Sequence, residues 1–368
     1  MERKMDEKIS LWQLFLLIFI FETGSAIVVG IAGEAKKDAW IAILMATFIG
    51  IMILLYYFFM IEKSGNKNLF EILELCFGKY ISKLFIVIYI IYFFYLASRV
   101  LRDFGELLVS TIFEKTPIEF ISLTMMFLIV YFLILGIETL SRSAEVFIPY
   151  IVIFILFVGL GILLSQELDF SNLLPILGDG IKPVMKAIFP SLIGFPFGEL
   201  IVFTVLIPKV TKIKKARTVA AISVFLSGLL LVYTTVIQLA TLGDNIRNRS
   251  NFPMLSAARE ISLLNFIERV DLLIVFIVMF GIVVKVTIFF YGGLLGLEKV
   301  FNIPYRQFVV PMALLISFSS IIISKNFAEH IEEGLTFVPF YLHLPLQLIL
   351  PLFIFPIIWF KKNKSHDK

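Results

Sequence analysis

The chain has 368 residues, 60% of them hydrophobic and 16% charged, with a mean hydropathy of +0.98. Soluble domains run nearer half apolar and a quarter charged, and no water-soluble core of this length hides such a surplus. The composition excludes a cytosolic enzyme, a disordered tail and a disulfide-built secreted scaffold, and the net charge of +4 is too small for a nucleic-acid footprint. An integral membrane protein is the remaining class.

A hydrocarbon core about 30 Å thick takes roughly 20 apolar residues per helix. Ten stretches approach that length. The first five are predicted at Ser10–Ile31, Trp40–Ile61, Ile81–Leu101, Phe120–Ile137 and Val146–Leu164. The second five are predicted at Val184–Ile207, Val219–Leu242, Leu272–Leu297, Phe308–Ile323 and Val338–Phe360. Their apolar character is nearly all-round, without the strict alternation of a membrane β-barrel. The basic residues Arg3, Lys4 and Lys8 ahead of the first span raise a signal peptide. The length of that apolar run and the nine spans after it argue against cleavage.

With the N-terminus inside, 19 of the 32 Lys and Arg residues fall in inner connections, so the positive-inside rule places both termini in the cytoplasm. The longest connection, Gly243 to Asp271, is then external. Its centre, Phe252 to Phe266, is predicted as a short amphipathic helix started by Pro253. The whole chain, 1–368, reads as one transmembrane domain. Cys76 stands alone and His330, His343 and His366 are scattered, so neither a disulfide, a metal site nor a bound cofactor is expected.

Ten spans divide into five and five, with repeat 1 at about 10–165 and repeat 2 at about 184–360. Transporters built from inverted repeats interrupt matching helices at mid-membrane. Here the first helix of each half carries the interruption. In span one, Glu22-Thr23-Gly24-Ser25 lies about halfway along. In span six, Phe189-Pro190 and Gly194-Phe195-Pro196-Phe197-Gly198-Glu199 set two prolines and two glycines in an apolar run. Proline removes a backbone donor and glycine permits unwinding, and the freed amides and carbonyls are tolerated only inside protein or around a cavity. Ordinary kinks and close-packing glycines are the plainer reading.

Glu22, Glu199 and Lys285 fall inside apolar runs, where ionised groups signal pairing or function. Glu199 lies about 15 residues, and Lys285 about 13, from the starts of their spans on the same side, so at ~1.5 Å per residue their depths agree within a turn. Lys285 is expected to act as a tethered cation, paired with Glu199 or with carbonyls of the broken first helix. A structural ion pair and a coupling group are both open. Two polar-aromatic stripes suit a small zwitterion: Lys285, Thr287, Phe290 and Tyr291 on span eight, and Tyr92, Tyr95, Ser98 and Arg99 on span three. Interfacial and packing tyrosines are commonplace, however. Arg102, Asp103 and Glu106 read as an outer helix end that pairs locally.

Several ordered motifs carry a family likeness. They include Asp169-Phe170-Ser171-Asn172-Leu173-Leu174-Pro175, Phe195-Pro196-Phe197-Gly198-Glu199, Ile207-Pro208-Lys209-Val210, Asn251-Phe252-Pro253 and Ile267-Glu268-Arg269-Val270-Asp271. With its length and span count, the chain resembles the B subunits of spore germinant receptors. The resemblance implies the amino acid–polyamine–organocation superfamily: an all-α fold of ten transmembrane helices, a five-plus-five inverted repeat and discontinuous helices 1 and 6. It implies a small nutrient germinant, commonly an amino acid, and companion A and C subunits in the spore inner membrane. It also implies ligand contacts from Gly24, Ser25 and Ala26, from Gly194, Phe195, Pro196 and Gly198, and from Thr287 and Tyr291. Tyr95 and Ser98 of span three match by position only.

The function expected from all this is a germinant-sensing subunit whose ligand stabilises one conformer of a transporter-like fold. An amino acid permease, with Glu199 or Lys285 as its proton-coupling group, is the alternative. An enzyme is disfavoured, because no nucleophile–base pair stands out.

Overall fold

The structure is a computed structural model and describes residues 7–164, 167–260 and 271–366. Helix α1 (Leu11–Thr23) starts at a capping box, in which Ser10 and Gln13 satisfy each other's backbone amides. Residues 24–32 then run as irregular turns, followed by a 3₁₀ turn, Gly33–Asp38, and α2 (Ala39–Lys63). Next come α3 (Leu69–Thr111), kinked where Gly78 takes φ 75°, α4 (Ile118–Leu135) and α5 (Ile137–Leu164).

The broken run α6 (Ile181–Lys209) opens the second half of the chain. It is followed by α7 (Ile213–Arg249), a short helix Pro253–Arg259, α8 (Asp271–Phe301) and α9 (Val309–Ile322). The last run, α10, mixes α and π turns over residues 327–366. Among the described residues nine helices are long and apolar enough to cross a membrane, and α1 is a shorter apolar helix. The chain is an all-α, multi-pass membrane protein.

Several elements differ in extent from their sequence expectation, three of them as follows. The third helix runs ten residues past Leu101 because its charges find protein partners. Arg102 pairs with Glu106 at 2.5 Å and donates to the Ile321 carbonyl, while Asp103 meets His330 at 3.0 Å. Asp103 therefore reaches across to α10 instead of pairing locally. The fifth helix begins at Ile137, directly after Gly136 with φ 102°, where α4 ends. The connection helix covers Pro253–Arg259; residues 261–270 of the predicted Phe252–Phe266 segment lie outside the described residues.

In lipid the hydrophobic effect does not drive helices together, so close packing and hydrogen bonding must. Glycines make the approaches. Gly292, Gly293 and Gly296 on α8 leave room for Phe93, Phe94 and Ile90 of α3, and Gly228 on α7 takes Thr47 of α2. Gly24, at the end of α1, lies directly against the backbone of Gly281 on α8.

Helix α10 contains Pro345 and Pro356 within its turns and Pro339 and Pro351 at the heads of two of its segments. Each proline removes a backbone donor. The Leu346, Gln347 and Pro351 carbonyls accept instead from the hydroxyls of Tyr89, Tyr57 and Tyr56. Three tyrosines of α2 and α3 thus hold the wide π turns that those prolines impose.

Candidate functional site

The two interruptions differ in kind. After Thr23 the chain does not resume α-helical form inside the membrane. Its turns are held from outside: Gln238 Nε2 donates to the Ile27 carbonyl at 3.2 Å, and Arg247 donates to the Ile31 carbonyl at 2.7 Å and to Gln238 at 3.1 Å. Helix α1 thus stops within the expected Glu22-Thr23-Gly24-Ser25 interruption, and α7 satisfies carbonyls of the turns that follow it. In α6 an α turn, Ile181–Lys186, leads into a π turn, Ala187–Leu192, with Phe189 extended. After Phe195-Pro196 the chain continues as a 3₁₀ turn, Phe197–Val202.

The charged groups expected at depth converge. Lys285 Nζ lies 2.6 Å from Glu199 Oε2, with both side chains buried. The ammonium also stands 5.0 Å from the centre of the Phe21 ring and 4.5 Å from that of Phe195, so two aromatic faces add attraction in a dry setting. Glu22 is fully buried within electrostatic reach of both Lys285 and Glu199. Among the described residues neither of its carboxylate oxygens has a hydrogen-bond partner.

On the face opposite the N-terminus a cavity of about 590 Å³ opens between the turns after α1, the first part of α6, the end of α7 and the start of α10. Below it a smaller space of about 50 Å³ is lined by Arg99, Asp103, Glu199 and His343. The two share Val29, Phe195, Ile331 and Leu335 as common walls. Arg99 crosses from α3 to the start of α10, donating to Tyr95 at 3.2 Å, to Glu333 at 3.3 Å and to the His330 carbonyl. Gly334 is what lets the guanidinium pass, since a Cβ there would collide with it. His343 Nδ1 lies 2.6 Å from the Tyr92 hydroxyl, which also accepts from Gln347 at 2.7 Å.

The residues singled out in the sequence separate into groups. Phe195 and Glu199 line the smaller space, Lys285 pairs beneath them, and Tyr95 supports Arg99. Gly194 and Gly198 do not open onto the cavity. A Cβ on Gly194 would meet the His343 ring 2.9 Å away, and one on Gly198 would collide with the Gln347 amide. Pro196 precedes the 3₁₀ turn, and Ala26 is buried in the turns after α1. Gly24 packs on Gly281, and Ser25 Oγ is buried with no hydrogen-bond partner among the described residues. Ser98 and Thr287 spend their hydroxyls on the Phe94 and Val283 carbonyls of their own helices.

Tyr291 points elsewhere altogether. Six residues beyond Lys285, about 9 Å along the helix, its hydroxyl meets Glu7 and Lys209 on the N-terminal face. Glu7 there accepts from Lys209 at 2.8 Å and from Tyr305 at 2.7 Å, with Arg306 at 3.5 Å. Burial would raise the Glu7 carboxyl, but the Lys209 charge and the hydrogen bonds from Lys209, Tyr291 and Tyr305 outweigh it and hold it below the usual carboxylate range. Beside this cluster Ile9 bridges Val210: its amide donates to the Lys209 carbonyl at 3.1 Å and its carbonyl accepts from Thr211 at 3.0 Å. In the sequence Lys209, at the end of α6, stands out only as part of the Ile207-Pro208-Lys209-Val210 motif.

Comparison with known proteins gives this architecture relatives. Residues 8–328 match the family model described as spore germination protein. Spore germination protein KB of Bacillus subtilis (strain 168) is 35% identical, over 98% of this chain and 97% of the relative. Spore germination protein A2 of the same organism is 26% identical over 84% and 87%, and spore germination protein GerQB of Bacillus cereus 25% identical over 94% and 96%. The chain belongs to the spore germination protein family.

Proposed function

From this membership we propose that the chain is the germinant-sensing membrane subunit of a spore germination receptor. It binds a small nutrient, an amino acid by the polarity of its site, and passes a change of conformer to A and C companion subunits in the spore inner membrane. The fold is read as ten spans in a five-plus-five inverted repeat with discontinuous first and sixth helices, both termini cytoplasmic. On that orientation the 590 Å³ cavity faces outward.

One observation carries the reading: that cavity narrows onto Arg99, Asp103 and Glu199, which set a guanidinium and two carboxylates around one small space. Such an array suits a zwitterion, whose carboxylate and ammonium need opposite charges a few ångströms apart. The ligand acts only through its different affinity for the two conformers. Moving a 1:99 population to 99:1 needs about 10⁴-fold, or roughly 5.5 kcal/mol.

The test scores spore germination on a panel of nutrients with and without this chain, and with Arg99→Ala or Phe195→Ala in its place. Loss of response to one nutrient class in the deletion, and a rise in its half-saturating concentration in the variants, supports the reading. Unchanged dose–response curves in both variants refute the site. A second cavity of about 800 Å³ on the N-terminal face keeps a permease in view. Uptake of labelled amino acid by this chain alone in vesicles would favour that alternative.

A further inference from the structure

Three ionisable side chains meet inside the membrane, and their charges do not cancel. Lys285 is one cation, Glu22 and Glu199 are two acids, and all three are at least 98% buried, with exposures of 0%, 0% and 2%. The ammonium lies 2.6 Å from Glu199 as an ion pair whose angles miss hydrogen-bond geometry. That leaves Glu22, which has no hydrogen-bond partner on either oxygen among the described residues. An ionised carboxylate without donors is the least tolerable group in a low-dielectric interior, whereas the neutral acid is tolerated. Among the described residues the charged groups acting on Glu22 are Lys285 from α8 and Glu199 from α6. Arg99 and Asp103 of α3 act at one remove, on Glu199.

We propose that Glu22 is a proton-binding site and that the proton and the Lys285 ammonium are shared between two carboxyls. In the state described here the ammonium holds Glu199 and the proton resides on Glu22. When Glu199 is engaged from the cavity side by another cation, Lys285 takes Glu22 as its counter-ion and the Glu22 proton leaves through the cavity to water. One positive charge enters and one departs, so the buried region keeps its net charge. If Glu199 instead takes the proton, it moves from one carboxyl to the other while the ammonium moves the opposite way, and the count again balances. Phe21 and Phe195 flank the ammonium, so the lysine swings between carboxyls without entering water.

The arrangement makes a counting prediction that needs no ligand. Hydrogen–deuterium difference infrared spectra of the full chain in lipid nanodiscs at neutral pH report protonated carboxyls by their carbonyl stretch. The native protein should show one such band that Glu22→Gln abolishes. Glu199→Gln should abolish the same band, because Lys285 then needs Glu22 ionised. Lys285→Met should show two bands, since both acids become neutral. Absence of any band assignable to Glu22 in the native protein overturns the proton site and would mean that a bound cation compensates Glu22 instead. Survival of the Glu22 band in Glu199→Gln overturns the exchange. Should Glu199→Gln fail to fold, Lys285→Met decides alone: two bands support the proposal, and one or none refutes it.

Discussion

Replacing Gly281 by alanine sets two opposing effects against each other. Gly281 lies inside α8, where alanine is worth about 0.8–1 kcal/mol over glycine in helix propensity. Against this, a Cβ at Gly281 would lie 2.5 Å from the Cα of Gly24. Carbon atoms in ordinary contact stand about 3.5–4.0 Å apart, so the two backbones must separate by about 1 Å. Neither side is a flexible side chain that can turn away. Overpacking of this kind costs about 1–3 kcal/mol, which at its upper end exceeds the propensity gain and leaves a net loss of up to about 2 kcal/mol. The melting temperature should fall by up to roughly 3 °C. The single cysteine, Cys76, is buried and supplies the assay: a thiol-reactive fluorophore reports its exposure as purified protein is heated in detergent. A Gly281→Ala protein that melts at or above the native temperature would refute the contact, because propensity alone would then be acting.

Lys285→Met and Glu199→Gln should each lower stability by less than the about 3–5 kcal/mol of a stranded buried charge, because Glu22 and its proton compensate, and the double variant should lose less than the two single losses summed. Single losses that add within about 0.5 kcal/mol in a double-mutant cycle would mean that the pair does not interact. Glu7, held below the ordinary glutamate pKa of about 4.3, contributes stability that is complete above that pH and is lost as pH falls through its lowered folded value. Melting temperature against pH should therefore fall more steeply on the acid side for the native chain than for Glu7→Gln, and parallel curves would contradict the cluster. Tyr291→Phe should leave the half-saturating germinant concentration unchanged and cost about 1 kcal/mol of stability. A shift in that concentration comparable with the one from Arg99→Ala would return Tyr291 to the ligand site.

Much of this arrangement was legible in one dimension. Glu199 and Lys285 stand out as charges in apolar runs, and equal depth in their spans makes Glu199 one of two expected partners, which the 2.6 Å contact then selects. The bridge from α3 to α10 was not legible. Arg99, Asp103, His330 and Glu333 are joined across more than 200 residues of chain, whereas in sequence Arg99 belongs to a stripe on span three, Asp103 to a helix end that pairs locally, and His330 to scattered histidines. Hydropathy marks where a charge sits in depth but not which helix faces it. The tyrosines show the same gap: Tyr291 shares a helix with Lys285, yet less than two turns of rotation and rise send its hydroxyl to the far face. The end of α1 depended on Gln238 and Arg247, whose role appears only once α7 lies beside the turns they hold.

The short bridge between Ile9 and Val210 ties the chain ahead of α1 to the chain just past α6 by two backbone hydrogen bonds. Both interrupted helices thus share one mooring, on the face opposite the cavity they shape. A pull on the residues ahead of Ile9, whether from an affinity tag, a tethered domain or a grip by another chain, reaches both walls of that cavity at once. Among the described residues the end of α10 has no such backbone bridge, so moving one reporter between the two ends would separate mechanical disturbance of the site from mere bulk.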